Sequence, residues 1–520
     1  MKRMADIVYQ IIQCLFGAII LIISIIVLFN PHVSMYAMKG WHNIHFFILA
    51  AFIALLSYLV YLFIKKKKIT FHLSIKLASV LLFLLQVYVC YNIYFRTGWD
   101  VNVVISNAEI VASGGVNVDN DYFSRYPNNL MLVAIFSLCF KLNDWFGVLD
   151  IENGLMAIIT LQCFLSVSAG YLLYQLILKS TSKNTYAWIG WWGYVILNGT
   201  SSWLTIPYSD SMGLIFPVLI LTLYSWVKEK KHVILNIIGI VLLTYIGYRI
   251  KPQAAIMGIA IAIIELFSAL SCMSKIRLKN MLGIIFLSII VLLASNYVYQ
   301  CCVRTMGYEL DKEKSFGWTH FFMMGLSSEN AGGYYDPDVS FSAGITDSKE
   351  RSRQNLEVAF DRIQEYGVLG LMNHGIKKAR FNFSDGTFSW SGGGSFYYEL
   401  YPEKNSLAGP VLRNLCWTTG TKYYINYSIK QMAWLMVLFC MLGNILPLIR
   451  RQKVEQVHIV ALLSVVGIVL FEMLFEARAR YLFLFVPIFI LSAVKGLEQI
   501  AIYYKDKFKV KNKANNIICE

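Results

Sequence analysis

Charge is scarce in this sequence. Only 15% of its 520 residues are Asp, Glu, Lys or Arg, against about a quarter in an ordinary soluble chain, while 57% are hydrophobic. That balance excludes a soluble globular domain, whose core needs far less apolar surface. Metal-ligand spacing is missing as well. The ten cysteines form no CxxC and no Cys/His set, which removes the usual signature of structural zinc. Cys301, Cys302 and Cys416 fall in a polar stretch, but two of them are adjacent, so no disulfide framework is indicated. No fixed-period repeat is visible. No small-residue cleavage pattern follows Lys2 and Arg3, so the first apolar run reads as a retained signal anchor.

What is present is a series of apolar runs, many of them about 20 residues long, the length that crosses a hydrocarbon core of about 30 Å. They fall near 8–29, 44–64, 73–95, 153–178, 186–200, 210–227, 232–249, 252–270, 281–300, 427–449, 456–474 and 481–502. The expected fold class is an all-α polytopic membrane protein with about 12 transmembrane helices, outer juxtamembrane helices and an extracytoplasmic mixed α/β domain. The net charge of +15 would suit a nucleic-acid partner in a soluble chain. Here Lys and Arg cluster in short loops between apolar runs, as membrane orientation demands, so no nucleic-acid partner is expected.

Charge parity arbitrates one ambiguous segment, 128–141. If it is not a span, then Lys65 to Lys68, Lys179 with Lys183, Lys228 with Lys230 and Lys231, Lys275 with Arg277 and Lys279, Arg450 with Arg451 and Lys453, and the tail from Lys505 all share one side. That side is read as the cytoplasm, and 128–141 becomes a juxtamembrane element on the outer face. Both termini are then cytoplasmic in a multi-pass protein of the cell membrane. The expected organisation is 1–300 as a transmembrane module with an external loop at 96–152, 301–424 as an extracytoplasmic domain, and 425–520 as final spans with a basic tail. The middle region carries 13 Lys/Arg and 14 Asp/Glu with abundant Gly and aromatics, the composition of a folded domain. Within it, Gly332-Gly333-Tyr334 and Ser391 to Ser395 read as turns, and 347–366 as an amphipathic helix.

The polar island Arg96 to Asn129 holds the first candidate residues. Asp100 follows the third apolar run directly, and Asp119 and Asp121 come further along. Other ionisable groups reach the same expected plane: Asp210 after Pro207-Tyr208-Ser209, Arg249 and Lys251 around a break at Pro252, and Glu476, Arg478 and Arg480 before the last span. Charges inside the spans are few, and Glu265 and Glu472 lie near enough to span ends to be solvated. Carboxylates beside cations suit transfer of a group from a lipid phosphate. A base takes the acceptor's proton, and positive charge stabilises the departing phosphate. Each residue has a plainer reading. Arg478 and Arg480 could be interfacial anchors, Asp119 and Asp121 a solvated turn, and Asp100 or Asp210 helix caps.

The arrangement resembles the GT-C superfamily of membrane glycosyltransferases, particularly the protein O-mannosyltransferases and the lipid A aminoarabinose transferase. Asp100 in Gly98-Trp99-Asp100 matches an acidic residue in the first large external loop. Tyr126-Pro127-Asn128-Asn129 resembles the (Tyr/His)-Pro-Pro-like motif, with Asn in place of the second Pro. Pro207 to Asp210 and Arg478-Ala479-Arg480-Tyr481 resemble further motifs of the superfamily. Segments such as Trp318 to Leu326 and Asp385 to Trp390 are similar to Gram-positive integral membrane proteins classed as glycosyltransferases. Two spans precede the Asp100 loop where the superfamily usually has one. The resemblance implies an inverting transfer of sugar from a polyprenyl-phosphate donor to a cell-envelope glycan, lipid or protein. Asp100 would be the base, and Arg249, Lys251, Arg478 and Arg480 the phosphate ligands. A divalent cation, Mg or Mn, shared by Asp100, Asp119 and Asp121 is a further expectation. A transporter or flippase of lipid-linked sugars and a noncatalytic assembly protein are the alternatives.

Overall fold

The computed structural model of the chain describes residues 2–30, 40–66, 74–115, 118–145, 151–271, 274–392, 396–401 and 407–518. Of the residues in the segments named above, Lys67, Lys68, Gly393, Gly394 and Ser395 lie outside these ranges, as does Cys272 among the ten cysteines. Among the described residues, 11 helices are long and apolar enough to cross a membrane. They are Met4–Leu28, Asn43–Val60, Ile75–Ile93, Gly154–Thr181, Ser209–Lys228, Val233–Ile250, Pro252–Leu270, Leu278–Thr305, Tyr423–Ile449, Gln456–Leu474 and Ala479–Lys507. The expected span at 186–200 is shorter. The helix Asn184–Tyr194 runs into a π-helical turn, Val195–Gly199, and stops at the polar Thr200-Ser201-Ser202. Trp191 and Tyr194 of this helix are buried against the neighbouring spans rather than turned outward.

Most of the spans face outward with aliphatic side chains, such as Leu55, Leu84, Leu235 and Leu293. A surface of that kind is stable only against lipid. Chain connections sort to two ends of the bundle. At one end Lys179 and Lys231 pair with Glu229, Lys228 with Glu265, and Arg450 with Asp506, while the Lys495 ammonium donates to the Ser180 carbonyl. The opposite end gathers the 96–129 island, the 201–210 loop, Lys251, the 301–424 region and the 475–481 break.

The expected mixed α/β character of 301–424 is not what forms. Among its described residues, strand structure is confined to Glu399–Leu400, paired antiparallel with Phe95–Arg96. The rest is helical or irregular, because its Gly- and aromatic-rich stretches pack as loops onto span ends. Trp203 donates its indole N–H to the Thr387 carbonyl at 3.1 Å, and Trp434 donates to the Phe383 carbonyl at 2.7 Å. The apolar core therefore runs without a break from the spans into this region. Its principal element is Ser348–Phe383, N-capped by Asp347. The amphipathic helix ends where expected, at Tyr366: Gly367 leaves the helical conformation at φ +55° and ψ -172°, and a second helix follows from 368 to Phe383 across that kink.

The segment left out of the spans on charge parity forms Leu130–Trp145, 16 residues long, and is not among the 11 spans. It packs along Trp99–Ala112, and the two helices carry the polar island's walls.

Candidate functional site

Gly98 precedes the helix Trp99–Ala112, and Asp100 stands in its first turn, where the helix dipole favours a carboxylate. Gly98 occupies the capping position, and Asp100 leaves its oxygens to other partners. The Tyr208 hydroxyl points at Asp100 Oδ2 from 3.4 Å. Trp99 itself has φ +47°, a strained conformation for an aromatic residue. Its indole N–H donates to Thr97 Oγ1 at 2.9 Å, and its ring meets Tyr208 edge-on with centroids 5.1 Å apart. Burial pushes the Tyr208 and Tyr122 phenols well above their ordinary pKa, and the nearby Asp100 charge adds to it. Both phenols are therefore held as hydroxyl donors.

The loop carrying Tyr208 is fixed from below by Gln162, buried in the span Gly154–Thr181. Its amide nitrogen donates to the Leu204 and Ile206 carbonyls at 3.2 and 3.1 Å, and its oxygen accepts from the Tyr208 N–H at 3.1 Å. A lone Gln inside an apolar run gave no sign of this in the sequence.

Arg480 and Lys251 arrive from spans far along the chain. The Arg480 guanidinium lies 4.4 Å from the Trp99 ring centroid and 5.4 Å from that of Tyr208, with Nε 3.8 Å from Asp210 Oδ2. Lys251 pairs closely with Asp210 Oδ1, and both side chains are almost wholly buried. The Lys251 ammonium also stands 4.2 Å from the Tyr481 ring centroid. Burial draws that ammonium below its ordinary pKa, with the Asp210 charge pulling the other way. Asp210 is thus an ionic partner rather than a helix cap. Trp99, Asp100, Tyr208, Asp210, Lys251, Arg480 and Tyr481 form one continuous constellation.

Next to it, Arg478 donates from Nε to Glu476 Oε1 at 2.8 Å, and the Tyr481 hydroxyl donates to Glu476 Oε2 at 3.1 Å. The Arg478 guanidinium also covers the Tyr334 ring at 5.5 Å. The expectation that Glu472 is solvated is overturned. It is 0% exposed, with Oε1 lacking a hydrogen-bond partner among the described residues and Oε2 3.4 Å from the Arg478 N–H. Residues 301–424 fold back over the end of its helix, which its position in the sequence does not show. Lys378 helps to hold the 475–478 break in place, donating to the Gly325 and Phe475 carbonyls at 2.8 and 2.5 Å. The approach is so close that a Cβ on Gly325 would stand 2.6 Å from the Phe475 carbonyl. Burial lowers the Lys378 ammonium to about 8, against the charges of Glu472 and Glu476.

Not every candidate joins this constellation. Arg249 donates to the Tyr245 hydroxyl at 3.0 Å and to Asn296 Oδ1 at 2.9 Å, and covers the Tyr299 ring at 4.3 Å. Tyr299 in turn reaches the Pro127 carbonyl at 3.4 Å, so Arg249 supports the Tyr126-Pro127-Asn128 motif from behind. Pro127 opens a 3-10 turn, Asn128 donates to Asn129 Oδ1, and Tyr126 packs on Tyr122 and Phe316. Asp119 caps the short helix Asn120–Arg125 through the Tyr122 N–H, and Asp121 pairs with Lys314 and Arg125 in solvent. The carboxylates of Asp119 and Asp121 are committed elsewhere, so they do not form a shared cation site with Asp100. No set of three His, Cys, Asp or Glu side chains converges among the described residues.

The profile of one protein family, described as conserved hypothetical integral membrane protein, matches residues 5–500. The chain belongs to that family. No curated protein and no solved structure matches it. The matched range contains every residue of the constellation, from Trp99 to Tyr481.

Proposed function

We propose that this protein is a membrane glycosyltransferase of the GT-C type, moving a sugar from a polyprenyl-phosphate-linked donor to a cell-envelope acceptor. The reading rests on one observation: Asp100 and the Arg480 guanidinium both meet the Trp99–Tyr208 pair, Asp100 at the Tyr208 hydroxyl and Arg480 at the two rings. Asp100 Oδ2 takes the proton from the acceptor hydroxyl. The acceptor oxygen attacks the anomeric carbon with inversion, and the bond from that carbon to the phosphate oxygen breaks. The electron pair leaves with the lipid phosphate, whose charge Arg480 meets, with Arg478 and Lys251 behind it. Asp210 holds Lys251 and Arg480 in register, and the Trp99, Tyr122, Tyr126 and Tyr334 rings offer flat faces to a sugar.

The same reading places the site on the extracytoplasmic side. The opposite end of the bundle carries the Lys and Arg clusters, which the positive-inside rule assigns to the cytoplasm together with both termini.

The test is Asp100→Asn in cells that incorporate labelled sugar into surface polymer. With unchanged membrane expression and thermal stability, incorporation should fall by about 10²–10⁴-fold, the usual worth of a positioned base. Unchanged incorporation would overturn the assignment.

A further inference from the structure

The polarity of the helical segment Ser348–Phe383 inverts across its kink at Gly367. Up to Gly367 its exposed face is charged: Arg353, Glu357, Asp361 and Glu365 follow one another at four-residue spacing. Beyond Gly367 the most exposed apolar residues are Val368 at 77%, Leu369 at 81% and Met372 at 61%, with half-buried Ile376 continuing the same stripe and exposed Asn373 and Lys377 beside it. The buried face of this second half carries polar groups beside Ala379 and Phe383. His374 is 7% exposed, Lys378 1% and Asn382 0%, and they serve the Gly325, Phe475 and Glu472 carbonyls. A helix with polar groups inward and aliphatic groups outward is the reverse of what water selects.

Its location agrees. The Asn382 amide donates to the Glu472 carbonyl at 3.2 Å, in the last turn of the span Gln456–Leu474, and the Phe383 carbonyl accepts from Trp434 within the span Tyr423–Ile449. The second helix therefore leaves the bundle at the depth of the span ends. The span's last turns expose Leu470 and Leu474, at 46% and 50%, and its Met473 would stand 3.7 Å from a Cβ on Gly375, so the second helix lies against a span that faces lipid.

We propose that residues 368–376 form an interfacial anchor whose Val368, Leu369 and Met372 side chains lie in the bilayer, with Gly367 turning the helix from water into lipid. The occupant of this face is the acyl region of the leaflet nearest the 301–424 region. Exposed Lys377 and half-buried Arg380 flank the stripe, where their charged ends can reach headgroups. The proposal needs only the membrane spans and is independent of the glycosyl-transfer reading.

The experiment uses the full chain in lipid nanodiscs, with a bimane label on Leu369→Cys or Met372→Cys and the signal of the labelled unsubstituted chain subtracted. Leu293→Cys, on an exposed position of the span Leu278–Thr305, reports lipid, and Glu357→Cys, on the charged half of the same segment, reports water. Only variants that remain monodisperse are compared, and Val368→Cys replaces either one that does not. Labels at 369 and 372 should lose as large a fraction of their fluorescence to brominated acyl chains as the label at 293, and be as insensitive to iodide. Quenching by iodide as at 357 would overturn the proposal. Shielding from both quenchers would overturn it as well, by showing a protein neighbour such as a second copy on this face.

Discussion

The two ends of the bundle solve the same problem, opposite charges near a membrane edge, in different ways. At one end, in the Lys179–Glu229–Lys231 triad, every partner is at least one-third exposed, so water shares the pairing. At the other end Lys251 and Asp210 are 4% and 2% exposed, and Glu472 is sealed beneath the 301–424 region. Desolvation makes the second kind of pair costly to assemble and more costly to break, because one partner's loss leaves a buried charge with nothing opposite it. Such an arrangement contributes little net stability. It does fix charged groups in direction, which is what a site needs.

Three changes would break or sharpen this contrast. The largest effect should follow Lys251→Met, which strands Asp210. Thermal unfolding in detergent should show a loss of about 3–5 kcal/mol, and the pair Lys251→Met with Asp210→Leu should recover much of it. If the single variant were as stable as the parent, the burial of this pair would carry no such cost.

A middle-sized effect concerns His320, which is 1% exposed and shares a 2.8 Å hydrogen bond with Ser342 Oγ. Burial, with some help from Arg351 and opposed by Glu476 and Asp338, lowers its pKa from 6.5 to about 4. Between those values the unfolded chain binds a proton that the folded one refuses, so stability should decline as pH falls from 6.5 to 4. His320→Asn should flatten that part of the melting profile, and an unaltered slope would assign it to other groups.

The smallest effect belongs to the solvated end. Lys179→Ala or Lys231→Ala should change stability by about 0–1 kcal/mol, and added salt should erase the difference.

Much of the membrane architecture was legible in the chain. Runs such as 8–29 and 456–474 read directly as spans, because length and apolarity are local properties and a bilayer imposes a fixed thickness. The segment 186–200 was misjudged for a local reason: apolar composition does not reveal that Gly199 to Ser202 ends the helix early. The site was legible in part. Asp100, Asp210, Lys251 and Arg480 were visible as charges at span ends. Tyr208 was visible only as part of the Pro207 to Asp210 motif, and Gln162 and Lys378, which hold the backbone, were not visible, since a buried hydrogen bond between distant segments leaves no periodic trace. The expected domain at 301–424 failed in its α/β character because Gly- and Tyr-rich stretches mark turns without saying whether strands or span ends lie beneath them.

The sequence by itself determined that this is a multi-pass membrane protein, where most of its helices run, and which loops concentrate cations. Hydrophobicity and length act residue by residue, so they survive without a fold. Only the tertiary structure decided that Asp119 caps a helix while Asp210 meets Lys251, that Arg480 lies over Trp99 while Arg249 turns to Asn296, and that Glu472 is buried. Those outcomes depend on which groups are brought within a few ångströms of one another and which are shut off from water, and that is settled by packing between segments separated by anything from a few residues to several hundred.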